Sequence, residues 1–185
     1  MPEYVSTWYG DIAADIIARM SQIQLLVCDV DGVFSDGRIY LGDQGEELKA
    51  FHTRDGLGVK ALVSAGIQVA VITGRRSHIV ANRMSALGVE HIIQGEHDKG
   101  QALASLLNKT GYSADTLAAI GDDLPDIPML EAAALGVAVF DAHPSVQQAA
   151  NYVTRQRGGF GAVRELADLI LLSQGKLHQV QESST

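Results

Sequence analysis

The chain has one cysteine, Cys28, in 185 residues. No intramolecular disulfide framework can form, which fits a reducing compartment. A block of Lys and Arg is also missing. Fourteen basic residues stand against twenty-two acidic ones, for a formal net charge of −8. Nucleic acid and anionic membrane are therefore not expected as main partners. Long apolar runs are absent too. The longest, Ala132 to Phe140, is far shorter than the roughly 20 residues of a spanning helix. The first basic residue is Arg19, so no positively charged leader is expected. Together these absences predict a soluble, cytoplasmic protein. The length suits one domain, 1–185, with enough chain for a real core.

What is present is an alternation of short apolar runs and helical patterns, punctuated by glycine. Ile12, Ile16, Ile17 and Met20 have helical spacing, so residues 1–22 read as a helical extension. Leu25 to Cys28 is a continuous apolar run, the mark of a strand buried on both faces. Residues 38–51, centred on Gly42-Asp43-Gln44-Gly45, read as a β-hairpin flap. Helices are expected over 57–64, 77–87, 99–109, 127–134 and 162–173. Gly66, Gly88, Gly111 and Gly136 are read as stops after the first four. Strands are expected over 67–72, 89–93, 117–120, 137–140 and 152–154. Residues 175–185 read as a flexible tail. The pattern predicts an α/β fold with a mostly parallel sheet and helices on both faces.

In such sheets ligands sit beyond the carboxyl ends of the strands. Four groups fall there: Asp29-Val30-Asp31-Gly32, Thr73-Gly74-Arg75, Lys99, and Gly121-Asp122-Asp123 with Asp126 beyond. Asp29 and Asp31, two apart in extended chain, face the same side. Clustered carboxylates need a cation, and oxygen ligands suit Mg²⁺. Thr73, amides near Gly74, and Lys99 can hold phosphate oxygens. The chemistry indicated is phosphoryl transfer, with Asp29 as nucleophile and Asp31 as the acid and base.

These four motifs, in this order across residues 25 to 126, resemble the haloacid dehalogenase superfamily of phosphatases. The resemblance implies Asp29, Asp31 (through its carbonyl) and Asp122 as metal ligands. Asp123 and Asp126 would support them from behind, although Asp126 also fits a helix N-cap before Ile127. From Asp31 to Thr73 is 42 positions and from Thr73 to Lys99 is 26. Neither gap leaves room for the cap domain that many members carry. An open site would need a large substrate or a neighbouring subunit to cover it.

Longer stretches resemble the 3-deoxy-D-manno-octulosonate 8-phosphate phosphatase family. They include Val30 to Gly37, Phe51 to Gly56, Gly121 to Asp126, Asp141 to Pro144, Gly158 to Glu165 and Leu171 to Leu177. That family implies a capless tetramer of lipopolysaccharide biosynthesis, acting on an eight-carbon sugar acid phosphate, with sites completed by neighbouring subunits. Substrate contacts carried over are Asp31, His52, Thr53, Arg54, Asp55, Gly56, Lys60, Arg75, Arg83 and Lys99. Several cations among them suit a doubly anionic ligand. Arg157-Gly158-Gly159-Phe160-Gly161 reads either as a plain loop or as a hinge for the tail.

Other readings remain open at this point. The same chemistry could serve a nine-carbon sialic-acid-type phosphate. A phospho-receiver domain also uses an aspartate, a Thr and a Lys, but places its aspartate after the third strand of the sheet. A catalytically dead scaffold would not need all four motifs intact.

Overall fold

The computed structural model describes residues 3–178. Its centre is a six-stranded sheet of β3 (Leu25–Cys28), β6 (Gln68–Thr73), β7 (His91–Gln94), β8 (Leu117–Gly121), β9 (Leu135–Ala138) and β10 (Tyr152–Val153). Their order is β10-β9-β8-β3-β6-β7, and every pairing is parallel. All four residues of β3 are buried, as expected of a central strand covered on both faces. The chain leaves β3 for β6 on one side and later returns to β8 on the other. This reversal opens a crevice at the carboxyl end of β3, where a ligand site belongs.

The helices are α1 (Ala14–Met20), α2 (Thr53–Ser64), α3 (His78–Ala86), α4 (Lys99–Thr110), α5 (Ile127–Ala132), α6 (Pro144–Ala149) and α7 (Ala162–Ser173). α7 packs against α1 and α2, and α5 packs against α4 and α6. Gly111, at φ +77°, ends α4 in the left-handed conformation that glycine adopts without a Cβ penalty. β4 (Tyr40–Leu41) and β5 (Glu47–Leu48) pair antiparallel, a short hairpin within the span 38–51 read as a flap.

Three expectations are corrected. Residues 1–22 are not simply helical, because β1 (Tyr4–Thr7) and β2 (Gly10–Ala13) form a hairpin ahead of α1. Gly10 makes its turn at φ +89°. Tyr9 Oη donates to Asp168 Oδ2 at 2.7 Å, tying that hairpin to α7. Gly136 is not a helix stop but lies inside β9. A Cβ there would sit 2.6 Å from the Leu130 carbonyl oxygen, so helix and strand approach too closely for any side chain. α2 begins four residues earlier than expected, because the His52 side chain accepts the Arg54 N–H and caps it.

Of the expected flexible tail, only residues 175–178 are described. Lys176 Nζ donates to the Ala65 carbonyl at 3.2 Å, and Leu177 packs against the core. The rest of that expectation lies outside the described residues. Among the described residues no helix is long and apolar enough to cross a membrane.

Candidate active site

β3 and β8 are neighbours in register, Cys28 beside Ile120. Their next residues therefore emerge side by side. One carboxylate oxygen from each of Asp29, Asp122 and Asp126 lies within 4.8 Å of the others. Gly32 makes this possible. It turns at φ +94°, and a Cβ there would lie 2.1 Å from Asp122 Oδ2. The loop after β3 can close on Asp122 only because that side chain is missing.

Lys99, at the start of α4, reaches into the cluster. Its Nζ donates to Asp29 Oδ1 at 2.7 Å and to Asp126 Oδ1 at 2.5 Å. Burial alone would lower the Lys99 pKa, but the two carboxylates outweigh it and the pKa rises. Asp29 is raised, first by burial and then by repulsion from Asp126, with Lys99 opposing. Asp122 is raised further, by burial and by the charges of Asp29 and Asp126. More negative charge is gathered here than one ammonium neutralises. A divalent cation would supply what is missing, and the all-oxygen donor set of these carboxylates suits Mg²⁺.

Asp126 is held differently. Its Oδ2 accepts the N–H of Asp122 at 2.9 Å and of Asp123 at 3.2 Å, while Oδ1 takes Lys99. Both oxygens are occupied by the protein, so Asp126 orients the loop and the lysine. Asp123 caps the 3₁₀ turn that follows, accepting Leu124 N–H at 2.8 Å. The Asp122 carbonyl accepts His143 N–H at 2.8 Å, so the loop after β9 braces the same residue.

A cavity of about 430 Å³ opens over this cluster, lined also by Asp31, Thr73, Gly74 and Arg75. Glu96 and His97 line it too; neither was singled out, because no motif marks them. The Asp31 side chain is outside the cluster of three acids and instead pairs with Lys49 and Arg75. Lys49 and Glu47 were also missed. Their signal was a two-residue spacing on the flap, which puts both on one face.

The remaining expected contacts gather elsewhere. Thr53, Arg54, Gly56, Lys60 and Arg83 line a second pocket of about 410 Å³. It shares no lining residue with the acidic cavity. Arg83 Nε is buried there without a hydrogen-bond partner among the described residues. A Cβ on Gly56 would lie 2.4 Å from Arg83 Nη2, so the glycine lets the guanidinium settle on the helix backbone. Two expectations change. His52 is used as the α2 cap. The Asp55 side chain faces neither pocket: it is 1% exposed and accepts Arg164 N–H at 2.8 Å. It meets the first turn of α7, whose free amides attract a carboxylate. Cys28 is fully buried, and burial pushes its thiol pKa well up, so it is an inert core residue.

The glycines of 157–161 also acquire a local role. Gly159 N–H donates to the Val33 carbonyl at 2.8 Å. A Cβ on Gly158 would lie 1.7 Å from the Gly32 carbonyl oxygen. The loop is a close-packed brace for the turn after β3.

A family model for haloacid dehalogenase-like hydrolases matches residues 84–164. The chain is 52% identical to the 3-deoxy-D-manno-octulosonate 8-phosphate phosphatase KdsC of Yersinia pestis over 174 residues, covering 94% of this chain and 93% of that protein. A crystal structure of that phosphatase from Yersinia pestis superposes with a TM-score of 0.95 at 51% identity, covering 96% of each chain. A phosphatase of the same name from Moraxella catarrhalis, solved in complex with magnesium ion, phosphate ion and KDO, superposes with a TM-score of 0.89. That chain is 41% identical, with 92% of this chain and 98% of the other covered.

Proposed function

The chain belongs to the 3-deoxy-D-manno-octulosonate 8-phosphate phosphatase family of haloacid dehalogenase-like hydrolases, and from that premise we propose how its own residues carry out the reaction. It hydrolyses 3-deoxy-D-manno-octulosonate 8-phosphate to the free sugar acid and inorganic phosphate. The observation that carries this reading is the meeting of Asp29 and Asp122 across the β3 and β8 ends, with Lys99 beneath. The magnesium- and KDO-bound relative supports both cofactor and substrate.

Asp29, Asp122 and the Asp31 carbonyl would hold Mg²⁺, which when bound would supply Lewis-acid stabilisation of charge on the phosphoryl oxygens. Asp29 attacks phosphorus in line and becomes an aspartyl-phosphate. Asp31 gives its proton to the departing sugar oxygen. Water then attacks phosphorus, returns a proton to Asp31, and releases phosphate with the Asp29 carboxylate restored. Lys99 keeps Asp29 in place through a bond to one oxygen, leaving the other to attack. Thr73 and the amides near Gly74 hold the transferring oxygens.

Arg75 stands at the mouth of the cavity and binds the anionic sugar acid. The second pocket holds Arg54, Lys60 and Arg83 apart from the reacting centre of its own chain. This supports a homotetramer in which that pocket completes a neighbouring subunit's cavity. Substrate binding over the open mouth then excludes water, as a cap would. The single cysteine and the net charge of −8 fit a cytoplasmic location.

A phosphate-release screen over sugar phosphates tests the reading. The eight-carbon acid phosphate should give the highest kcat/KM, and EDTA should remove the activity until Mg²⁺ is restored. Preference for a nine-carbon sialic-acid-type phosphate would overturn the substrate assignment.

A further inference from the structure

Four charged side chains close a ring at the mouth of the acidic cavity, and two of them belong to the flap. Lys49 Nζ donates to Asp31 Oδ1 and lies 3.5 Å from Glu47 Oε1. Glu47 Oε2 accepts from Arg75 Nη2 at 3.4 Å. Arg75 Nε lies 3.9 Å from Asp31 Oδ2. The signs alternate around the ring, so each charge has an opposite neighbour on both sides.

The four members are not equally placed. The Lys49 side chain has no exposed surface, whereas Arg75 is 49% exposed. A desolvated ammonium persists only beside a carboxylate. Its position therefore depends on Asp31 and on Glu47. The strand period delivers it there. Glu47 and Lys49 point to one side, and Leu48 between them points out and is 66% exposed. The pairing of Leu41 with Glu47 fixes the register that aims them.

Asp31 is consequently asymmetric. Its Oδ1 is taken by Lys49, and its Oδ2 keeps only the long approach of Arg75. We infer that Lys49 is the positioning residue for Asp31. By holding Oδ1 it aims Oδ2 at the leaving oxygen, so that the closed flap and a working acid/base are one state. This rests on the phosphatase reading, in which Asp31 protonates the departing sugar oxygen.

The chemistry of the leaving group provides the test. A sugar alkoxide cannot leave without a proton, whereas p-nitrophenolate can. Lys49→Met should lower single-turnover cleavage of 3-deoxy-D-manno-octulosonate 8-phosphate by roughly 10- to 100-fold, below the 10²–10⁴ typical of full acid–base catalysis. The first-turnover burst of nitrophenolate from p-nitrophenyl phosphate should stay within about threefold of wild type, and the KM for the sugar phosphate should change little. Lys49→Arg should recover most of the lost rate. Equal loss on both substrates would overturn the inference, since a merely structural lysine predicts that. Should Lys49→Met fail to fold by circular dichroism, Glu47→Gln serves. It should slow the sugar phosphate severalfold with the burst intact, and an unchanged ratio of the two rates would equally overturn the idea. If the wild-type protein cleaves neither phosphate, or Asp29→Asn retains the burst, the phosphatase reading itself has failed.

Discussion

The acidic cavity and the cationic pocket stand in contrast. In the first, the buried charges are held firmly by the chain: Asp29 and Asp126 share Lys99, Asp126 also takes two backbone amides, and only the excess negative charge around Asp122 is left for a cation. In the second, Arg54, Lys60 and Arg83 line about 410 Å³ with no carboxylate among the lining residues, and Arg83 Nε has no partner among the described residues. A site that performs chemistry must hold its groups rigidly before substrate arrives, because positioning is most of the catalysis. A site that recognises an anion can leave its cations waiting for one. Under the proposed function, the contrast would separate reaction from recognition in one chain.

The largest expected break in that contrast is Asp29→Asn. It should lower kcat more than about 10³-fold, as loss of an essential nucleophile does, with circular dichroism unchanged. A residual rate above one part in a thousand would count against attack by Asp29. Removal of Mg²⁺ with EDTA should match that loss and, unlike the substitution, be reversed by adding the ion back.

Asp55 offers a smaller effect, on stability. It shares burial with Asp29 but has no lysine beside it, and burial pushes its pKa from 3.8 to about 6. The folded protein thus holds this proton more tightly than the unfolded chain. Its contribution is fully present below about pH 4 and is lost as pH rises through about 6. The shift corresponds to about 3 kcal/mol at most, at 1.36 kcal/mol per pH unit. Urea melts of wild type and Asp55→Asn across pH 4 to 7 check it. The wild type should lose stability relative to the variant as pH rises, and parallel curves would refute it.

Arg83→Met should do least. It should raise KM for the sugar acid phosphate about tenfold, or 1.4 kcal/mol, with kcat nearly unchanged. KM for p-nitrophenyl phosphate, which has no sugar acid, should not move. A loss of kcat instead would place Arg83 with the reaction rather than with recognition.

Much of this was legible in the residues, and for local reasons. A run such as Leu25 to Cys28, apolar throughout, too short for a lone helix and followed by Gly32, fits a covered strand, which places Asp29 at its end. The pairing of Asp29 with Asp122 followed from the parallel topology. Asp126 was legible only as an alternative between support and a cap for α5; its side chain makes no cap bond to α5, and both oxygens give support, one to Lys99 and the other to the Asp122 and Asp123 amides. Other features were hidden because they depend on partners far along the chain. Asp55 reads like its neighbours Arg54 and Gly56 until α7 arrives 109 positions later to claim its carboxylate. Gly136 looks like a helix stop until the Leu130 carbonyl occupies the space its side chain would need. Lys49 and Glu47 belong to no motif, and only the packing of the flap against Asp31 gives them a role.

The amino-acid order alone determined the alternation of strands and helices, the motif residues at the strand ends, and the class of chemistry they imply. These follow from short-range periodicity and from the few residue types able to bind phosphate and a hard cation. Only the tertiary structure decided which oxygen each carboxylate offers, that the flap closes a charge ring on Asp31, and that the cations divide between two pockets. Those outcomes depend on burial and on contacts between distant segments, and a side chain's direction is settled by whatever packs against it.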